Sequence, residues 1–162
     1  IFQDLALWPH LTVEGNLRFG LRSRGVTHEE GRHRIAGILD RVGLRGVERR
    51  YPIELSGGEL QRVAIARALV LEPRAVLMDE PLTSLDVALK RDLGQLFREL
   101  LAERRTAALY VTHDPREVIA LMPRWAVLEN GRLVQEGDLS TLRAQPATGF
   151  VKALVDDLDD WP

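Results

Sequence analysis

Two short apolar runs, each ending beside a polar or charged residue, constrain the fold of this chain more than any other feature. The run Ala75–Met78 precedes Asp79 and Glu80, and the run Ala107–Val111 is followed after one residue by His113. A stretch with helical spacing separates the two runs, and strands that are joined through a helix pair in parallel. The pattern predicts an α/β fold with a parallel sheet, buried strands and right-handed crossovers.

The other predicted elements surround these two strands. The segment from Trp8 to about Pro52 is predicted to be helical. Thr12 is a candidate N-cap, and "THEE" at Thr27 to Glu30 matches a capping box. Gly43 supplies a helix stop, and the Asn-Gly of "ENGR" signals a type I′ hairpin. Further predicted elements are a helix at 57–71, a helix at 86–103, a short helix after Asp114-Pro115, strands at 124–128 and 132–135, and helices at 138–144 and 148–154.

Composition excludes several classes of site. The 162 residues carry a formal net charge of −2, which gives no general attraction to the phosphates of nucleic acid. There is no cysteine, so the chain forms neither disulfides nor thiolate metal sites. The apolar runs are far shorter than the roughly 20 residues of a membrane-spanning helix, so a link to a membrane requires a partner.

The acidic pair at the end of the first strand is a candidate catalytic site. In parallel α/β sheets, ligands bind at the carboxyl ends of the strands. Two adjacent acidic residues there can have different catalytic functions: Asp79 can bind Mg²⁺, and Glu80 can polarise an attacking water. The alternative is a strand end followed by a solvated acidic turn, and the residues alone leave both interpretations open.

The histidine after the second strand is a weaker candidate. If the two strands are neighbours, His113 lies near the acidic pair and can hydrogen-bond a terminal phosphate or hold the water. The alternative is a surface histidine that precedes a helix start. We interpret His10, His28 and His33 as surface residues, because none of them follows a predicted strand.

The stretch "ELSGGELQRVAIARAL" contains two glycines at the start of a predicted helix. Ser56 and Glu59 match a capping box, and Gly57 and Gly58 leave the first backbone N–H groups uncovered. A helix start of this kind binds anions. Capping alone needs only Ser56 and Glu59, and glycine weakens a helix without packing gain, so we expect a phosphate to approach here.

The string "LSGGELQRVAIARAL" resembles the signature motif of ATP-binding-cassette (ABC) ATPases. Supporting motifs follow the order of that family along essentially the whole chain. "FQ" at Phe2-Gln3 resembles the Q-loop, and "AVLMDE" resembles the Walker B strand. "SLD" at Ser84 to Asp86 resembles the D-loop, and "VTHD" resembles the segment that holds the switch histidine.

The resemblance implies a P-loop NTPase (RecA-like) core with a parallel sheet, together with an ABC α-helical subdomain. Its domains would be a Q-loop segment at 1–7, a helical subdomain at 8–56, and a partial core at 57–162 with a C-terminal hairpin and helices. The P-loop motif G-x-x-x-x-G-K-[ST] is absent, because neither Lys90 nor Lys152 follows a glycine. We therefore expect the P-loop and the first strands to lie upstream. We also expect the 162 residues alone to bind ATP weakly or not at all, and their uncovered sheet edge to favour association.

The resemblance also implies roles for the candidate residues, with ATP and Mg²⁺ as substrate and cofactor. Asp79 would support Mg²⁺, Glu80 would be the catalytic base, and His113 would contact the γ-phosphate. Gln3 would bring an amide oxygen to Mg²⁺ and the attacking water. Asp86 would lie at the seam of a head-to-tail homodimer. Ser56, Gly57 and Gly58 would contact the γ-phosphate of a nucleotide held by the other subunit, and Glu59 and Gln61 are expected to belong to the same cofactor-binding site.

The segment "LALWPHLTVEGNLRFGL" resembles the region after the Q-loop in importer subunits of the sugar, polyamine and inorganic-anion type. With Gln3, residues Trp8–Leu11 would then form a groove for a coupling helix of a transmembrane permease. A solute-binding protein, a bacterial source and the cytoplasmic face of the membrane are implied as well, with no nucleic acid partner. The alternative for Trp8 and Leu11 is the core of the helical subdomain. Alternatives for the whole protein are an exporter, a soluble ABC ATPase of repair or translation, and a non-catalytic module, which Glu80 and His113 argue against.

Overall fold

The computed structural model describes most of the chain. The described residues are 1, 5–82, 85, 87–119 and 121–159. Two of the predicted site residues, Gln3 and Asp86, lie outside them. The chain divides into two compact units, Ile1–Val111 and Thr112–Pro162, which are described separately below.

Six α-helices, four strands and two 3₁₀ turns are found along the described residues. In chain order the elements are α1 (Val13–Ser23), α2 (His28–Arg41), a 3₁₀ turn (Pro52–Glu54), α3 (Gly57–Leu69), β1 (Ala75–Asp79), α4 (Val87–Arg104), β2 (Ala107–Val111), a second 3₁₀ turn (Pro115–Glu117), β3 (Trp125–Glu129), β4 (Arg132–Gly137), α5 (Leu139–Ala144) and α6 (Gly149–Asp159). Within this part of the chain, no helix is both long and apolar enough to cross a membrane.

Local caps set the starts of α1 and α2. The hydroxyl of Thr12 accepts a hydrogen bond from the N–H of Gly15, and Thr27 accepts one from Glu30. Both predicted N-caps are confirmed, but the capping box of α2 is only half formed. The Glu30 carboxylate binds Arg34 instead, with 3.0 Å between Arg34 Nε and Glu30 Oε1. An i, i+4 ion pair thus replaces the second capping bond.

Helices α1, α2 and α3 pack against one another in the first unit. Gly43, with φ +71°, follows the end of α2 in the left-handed region, as predicted for a helix stop. Helix α3 shares its packing with α1 and α2, and the domain boundary at residue 56 stays a prediction. The fully buried apolar side chains of these helices include Val13, Leu17, Leu21, Ile35, Ile38, Leu39, Ile65 and Leu69.

One buried amide organises the segment that leads into α1. Asn16 is fully buried, and its Oδ1 accepts a hydrogen bond from the N–H of Trp8 at 2.8 Å. Its Nδ2 is within 3.1 Å of the carbonyl oxygens of Trp8, Leu11 and Thr12. The backbone groups of a turn thereby find partners inside the protein, which a buried turn requires.

Strands β1 and β2 pair in parallel, which confirms the predicted pairing. Leu77 lies opposite Leu109, and Asp79 lies opposite Val111. On the other side of β1, the amino group of Ile1 donates to the carbonyl of Leu77 at 2.6 Å, and the Ile1 carbonyl accepts from the N–H of Asp79 at 2.9 Å. The ladder thus places the carboxyl ends of both strands at one edge.

The prediction of buried strands is wrong for one face of this sheet. Val76 and Met78 are buried, whereas Leu77 is 67% exposed and Leu109 is 59% exposed. Successive side chains of a strand point to opposite faces, so a single uncovered face exposes every second residue. Parallel sheets normally have both faces covered, and no described element covers this one.

The second unit is built around a hairpin. Strands β3 and β4 pair antiparallel, and Asn130 and Gly131 at their turn have φ of 51° and 75°. Two positive φ values define the predicted type I′ turn. The predicted short helix after Asp114 is a 3₁₀ turn, which extends only to Glu117. The core of this unit is formed by Val127, Leu142, Val151 and Val155.

The N-cap of α5 predicts an acid-dependent contribution to stability. Asp138 Oδ1 accepts from the Thr141 N–H and from the Ser140 hydroxyl, both at 2.7 Å, and chiefly the Thr141 bond lowers the Asp138 pKa to about 2. Because this pKa is below the unfolded value of 3.8, the contribution of Asp138 to stability is complete above about pH 4 and is lost as the pH falls toward 2.

We expect the wild type to exceed Asp138→Asn in free energy of unfolding near pH 5, by an amount that shrinks toward pH 2.5 in urea titrations. A difference that does not change with pH would contradict this assignment.

Candidate active site

The first turn of α3 is closed by a reciprocal capping box, as predicted. Ser56 Oγ accepts from the N–H of Glu59 at 3.3 Å, while Glu59 Oε2 accepts from the Ser56 N–H at 2.8 Å and from its hydroxyl at 2.9 Å. These bonds, the backbone one first, lower the pKa of Glu59 below its usual value. The Glu59 carboxylate is therefore ionised at neutral pH and is engaged in the cap.

Gly57 and Gly58 present backbone N–H groups at this helix start. Within the described part of the chain, neither group donates to a protein acceptor. Ser56 and Gly57 are exposed, and a Cβ added at Gly57 would meet no atom within 4 Å. The Gly57 N–H is therefore a donor without a protein acceptor at an exposed helix start, where an anion can bind.

The interpretation that both glycines lack a packing role is wrong for Gly58. A Cβ at this position would lie 2.6 Å from Cδ2 of Leu89, a residue of α4. Gly58 therefore has a packing neighbour in α4, because a larger residue there would make the half-buried Leu89 side chain shift. The prediction that a glycine is present to let a phosphate approach, rather than for packing, therefore still holds for Gly57 only, since the space beside Gly57 is open.

Gln61 faces into the protein rather than toward a ligand. Its side chain is 4% exposed, and its Nε2 donates to the carbonyl of Pro81. The predicted direct contact of Gln61 with nucleotide does not fit this orientation. The side chain instead joins the second turn of α3 to the residue that follows Glu80, so it connects the two halves of the site.

The acidic pair lies at the carboxyl edge of the parallel sheet. The side chain of Asp79 is exposed on the uncovered face, and Glu80 is half-buried. Glu80 has φ of 44°, a left-handed conformation that is uncommon for a residue with a Cβ, and its N–H donates to the carbonyl of Val111 at 2.9 Å. Strained backbone of this kind is concentrated at functional sites, so it favours the catalytic interpretation over a solvated turn.

His113 belongs to the second unit and is exposed there. The residues around it form a small network: the Thr112 hydroxyl donates to Glu117 Oε2 at 2.8 Å and accepts from the Asp114 N–H at 3.0 Å. The side chain of Asp114 then caps the 3₁₀ turn through the N–H of Arg116. The helix-start interpretation thus accounts for the neighbours of His113. His10, His28 and His33 are exposed, as expected.

A resident metal centre made only of protein ligands is not seen among the described residues, because no three His, Cys, Asp or Glu side chains cluster there. Asp79 offers a single exposed carboxylate. Magnesium is commonly held by one or two carboxylates together with substrate phosphates and waters. The donor set at Asp79 fits that mode of binding.

Comparison with known proteins identifies the family. A family model described as ABC transporter matches residues 1–83. The chain belongs to the ABC transporter family. Among its curated relatives are proteins named Fe(3+) ions import ATP-binding protein FbpC. The Rhizobium meliloti relative FbpC 1 is 45% identical over 151 residues, which are 93% of this chain and 43% of that protein.

Two further relatives with the same printed name match along the whole chain. The protein of Photorhabdus laumondii is 40% identical over 162 residues, and that of Escherichia coli O157:H7 is also 40% identical over 162 residues. These matches cover 100% of this chain but 46% and 47% of the two relatives. The chain thus spans less than half the length of the ABC proteins that it matches.

The helical part of this ABC chain carries an aromatic cluster beside an apolar groove. The rings of Trp8 and Phe19 lie 4.5 Å apart, and Trp8 is half-buried. Phe19 is 58% exposed. It lines a cavity of about 230 Å³ together with Leu11, Gly15, Arg18 and Arg22.

The different surroundings of the two signature glycines predict different effects of alanine. In Gly58→Ala the new Cβ meets the end of the Leu89 side chain, which must shift at a cost of up to about 1 kcal/mol, whereas in Gly57→Ala it meets open space and the helix gains propensity. We therefore expect Gly57→Ala to have the higher free energy of unfolding of the two variants, by about 1 kcal/mol in urea titrations. In a Leu89→Ala background the difference should vanish, since the clash is removed. Equal stabilities in the original background would show that Gly58 has no packing role.

Proposed function

We propose that this chain is part of the nucleotide-binding subunit of an ABC importer, which hydrolyses ATP at the edge of the β1–β2 sheet. The observation that carries the proposal is the acidic pair. Asp79 ends a parallel strand, and Glu80 follows in a left-handed conformation held by the carbonyl of Val111. Membership of the family and the names of the relatives support the same function.

In this proposal Glu80 is the general base. The hydrogen bond from its N–H to the Val111 carbonyl holds its backbone beside the strand ends. It accepts the proton of the water that attacks the γ-phosphorus, while Asp79 supports the magnesium ion. The ion supplies charge neutralisation on the phosphate oxygens. We expect His113 to hydrogen-bond the γ-phosphate and Gln3 to contact the ion and the water, as the family resemblance implies.

The start of α3 is the proposed contact for a second nucleotide. The open N–H of Gly57 and that of Gly58 are donors for phosphate oxygens of an ATP held by another subunit. The Glu59 carboxylate already offsets part of the positive end of the helix. Binding here therefore depends on directional N–H donors more than on net charge. Ser56 and Asp86 complete this interface in the proposed homodimer.

The groove beside Phe19 is the proposed docking site for the permease. Its lining surface is largely apolar, although Arg18 and Arg22 are among the residues that line it. An amphipathic coupling helix can place apolar side chains against Leu11 and Phe19. A second copy of the subunit and a solute-binding protein complete the proposed system, with the subunit on the cytoplasmic face of the membrane.

The names of the relatives guide the choice between classes of ABC protein. The relatives described above are named as Fe(3+) importers, and this favours an importer over an exporter or a soluble ABC ATPase. Fe(3+) is accordingly the first solute to test. The solute is chosen by permease and binding protein, so the proposal assigns to this chain ATP turnover and coupling only.

Replacing the proposed base tests the function directly. In the full-length protein, Glu80→Gln keeps the size and hydrogen-bonding capacity of the side chain but removes its basicity. We expect phosphate release to fall by about 10²-fold or more, while ATP-dependent dimers persist in size-exclusion chromatography. Glu99→Gln, at an exposed position of α4, is the matched control and should leave both properties unchanged. Turnover by Glu80→Gln within about tenfold of the wild type would remove Glu80 as the base.

A further inference from the structure

Arg67 joins the far end of α3 to the segment that follows the Q-loop. Its Nη1 donates to the carbonyl of Ala6 at 2.5 Å, and its Nη2 donates to the carbonyl of Leu5 at 2.7 Å. The guanidinium carbon lies 5.3 Å from the centroid of the Trp8 ring, which is a cation–π distance. One side chain thus holds three neighbouring residues that are far from it in sequence.

The charge of Arg67 is costly at this position. The side chain is half-buried, and this burial lowers the pKa of its guanidinium below the usual value. Within the described residues the guanidinium pairs with no carboxylate. The cost of desolvating its charge is therefore offset by two backbone carbonyls and the Trp8 ring. A methionine could fill similar space without desolvating a charge. The two Nη groups of Arg67 form a fork of donors with fixed directions. This fork explains the presence of an arginine at position 67 better than packing does.

The backbone that Arg67 binds is in an uncommon conformation. Leu5 and Ala6 have φ of 60° and 45°, in the left-handed region that residues with a Cβ rarely adopt. Such backbone persists where the surroundings hold it in place. The two donors of the Arg67 fork do so here, because they bind two consecutive carbonyls.

The same segment is fixed from α1 on its other side. Asn16 binds both the N–H and the carbonyl of Trp8, at 2.8 Å and 3.1 Å. Residues 5–8 are therefore held by α1 at Trp8 and by α3 at Leu5 and Ala6. Arg67 lies ten positions after Gly57 in the same helix, about 15 Å along its axis at 1.5 Å per residue.

We propose that Arg67 is a positioning residue that transmits movement of α3 to residues 5–8. A phosphate bound at the first turn of α3 would displace a rigid helix, and the Arg67 fork would carry that displacement to Trp8 and so to the groove beside Phe19. The inference rests on the proposed ATP-binding function. It adds the side chain that connects nucleotide at one end of α3 to the partner surface at the other.

The test uses Trp8 as a reporter in the full-length protein, with Trp125, Trp161 and any other tryptophan replaced by Phe. ATP binding is measured with a fluorescent nucleotide, Trp8 emission is recorded during the same titration, and turnover is expressed per bound nucleotide. Arg67→Met removes the fork, and Arg67→Lys keeps the charge without it. Arg62→Met is the matched control, because Arg62 lies on the same helix and donates at 3.2 Å to the carbonyl of Val42 instead.

We expect ATP to change Trp8 emission in the parent and in Arg62→Met. In Arg67→Met the affinity for nucleotide should stay within about threefold, while the Trp8 response falls by about fivefold and kcat by about tenfold. Arg67→Lys should lose at least about half of the response, since a single ammonium cannot bind both carbonyls in the same geometry. If Arg67→Met does not fold, Arg67→Lys decides the question.

Each other outcome overturns the inference in a distinguishable way. A parent-like Trp8 response in the folded Arg67 variants would show that the fork transmits nothing. An equal loss in Arg62→Met would assign the effect to general packing of α3. A parent that binds and hydrolyses ATP without any Trp8 response would remove this inference alone. A parent that neither binds nor hydrolyses ATP would remove the proposed function and this inference together.

Discussion

The parallel pairing of β1 with β2 is the interaction on which the candidate site depends. Because both strands run in the same direction, their carboxyl ends share one edge, and the edge receives Asp79 and Glu80. The ladder continues one residue beyond the strand through the bond from the Glu80 N–H to the Val111 carbonyl. That bond holds a left-handed residue at the position where the proposed chemistry needs a directed carboxylate. Gln61 adds a second constraint from α3, since its amide binds the carbonyl of Pro81.

Features that depend on neighbouring residues were predictable from the sequence. The caps at Thr12, Thr27 and Ser56 and the Asn130-Gly131 turn follow rules that act within about four residues, and the structure contains each of them. The argument from Gly58 was wrong for the opposite reason. The side chain that packs against this glycine is Leu89 of another helix, and nothing in the sequence around position 58 indicates its approach. The uncovered face of the sheet was missed likewise, since an apolar run does not show whether one face or both are buried.

Three side chains that organise the site were not predictable in their roles. Asn16, Gln61 and Arg67 all bind backbone carbonyls, and for Arg67 the separation is 61 or 62 residues. Every residue carries a backbone carbonyl, so the residue type of the acceptor does not indicate such a contact. Only the residue that contributes its side chain can be recognised in the sequence. An arginine within an apolar helix, or an amide at a core position, is the sole trace. The structure supplies the other half of the contact and with it the proposed link between α3 and Trp8.

The uncovered face of the β1–β2 sheet also affects how the chain behaves in water. Leu77, Leu109 and Val111 form adjacent apolar positions on a rigid ladder, each more than half exposed. When another apolar surface covers this face, the water in contact with it is released. The free energy then falls by about 25 cal/mol for each Å² of apolar surface that is buried. The gain is independent of the identity of the covering surface, whether it is a protein layer, a detergent or a vessel wall. Hydration of this one sheet face therefore contributes to the free energy of the chain in water, and a formal net charge of −2 does not show it.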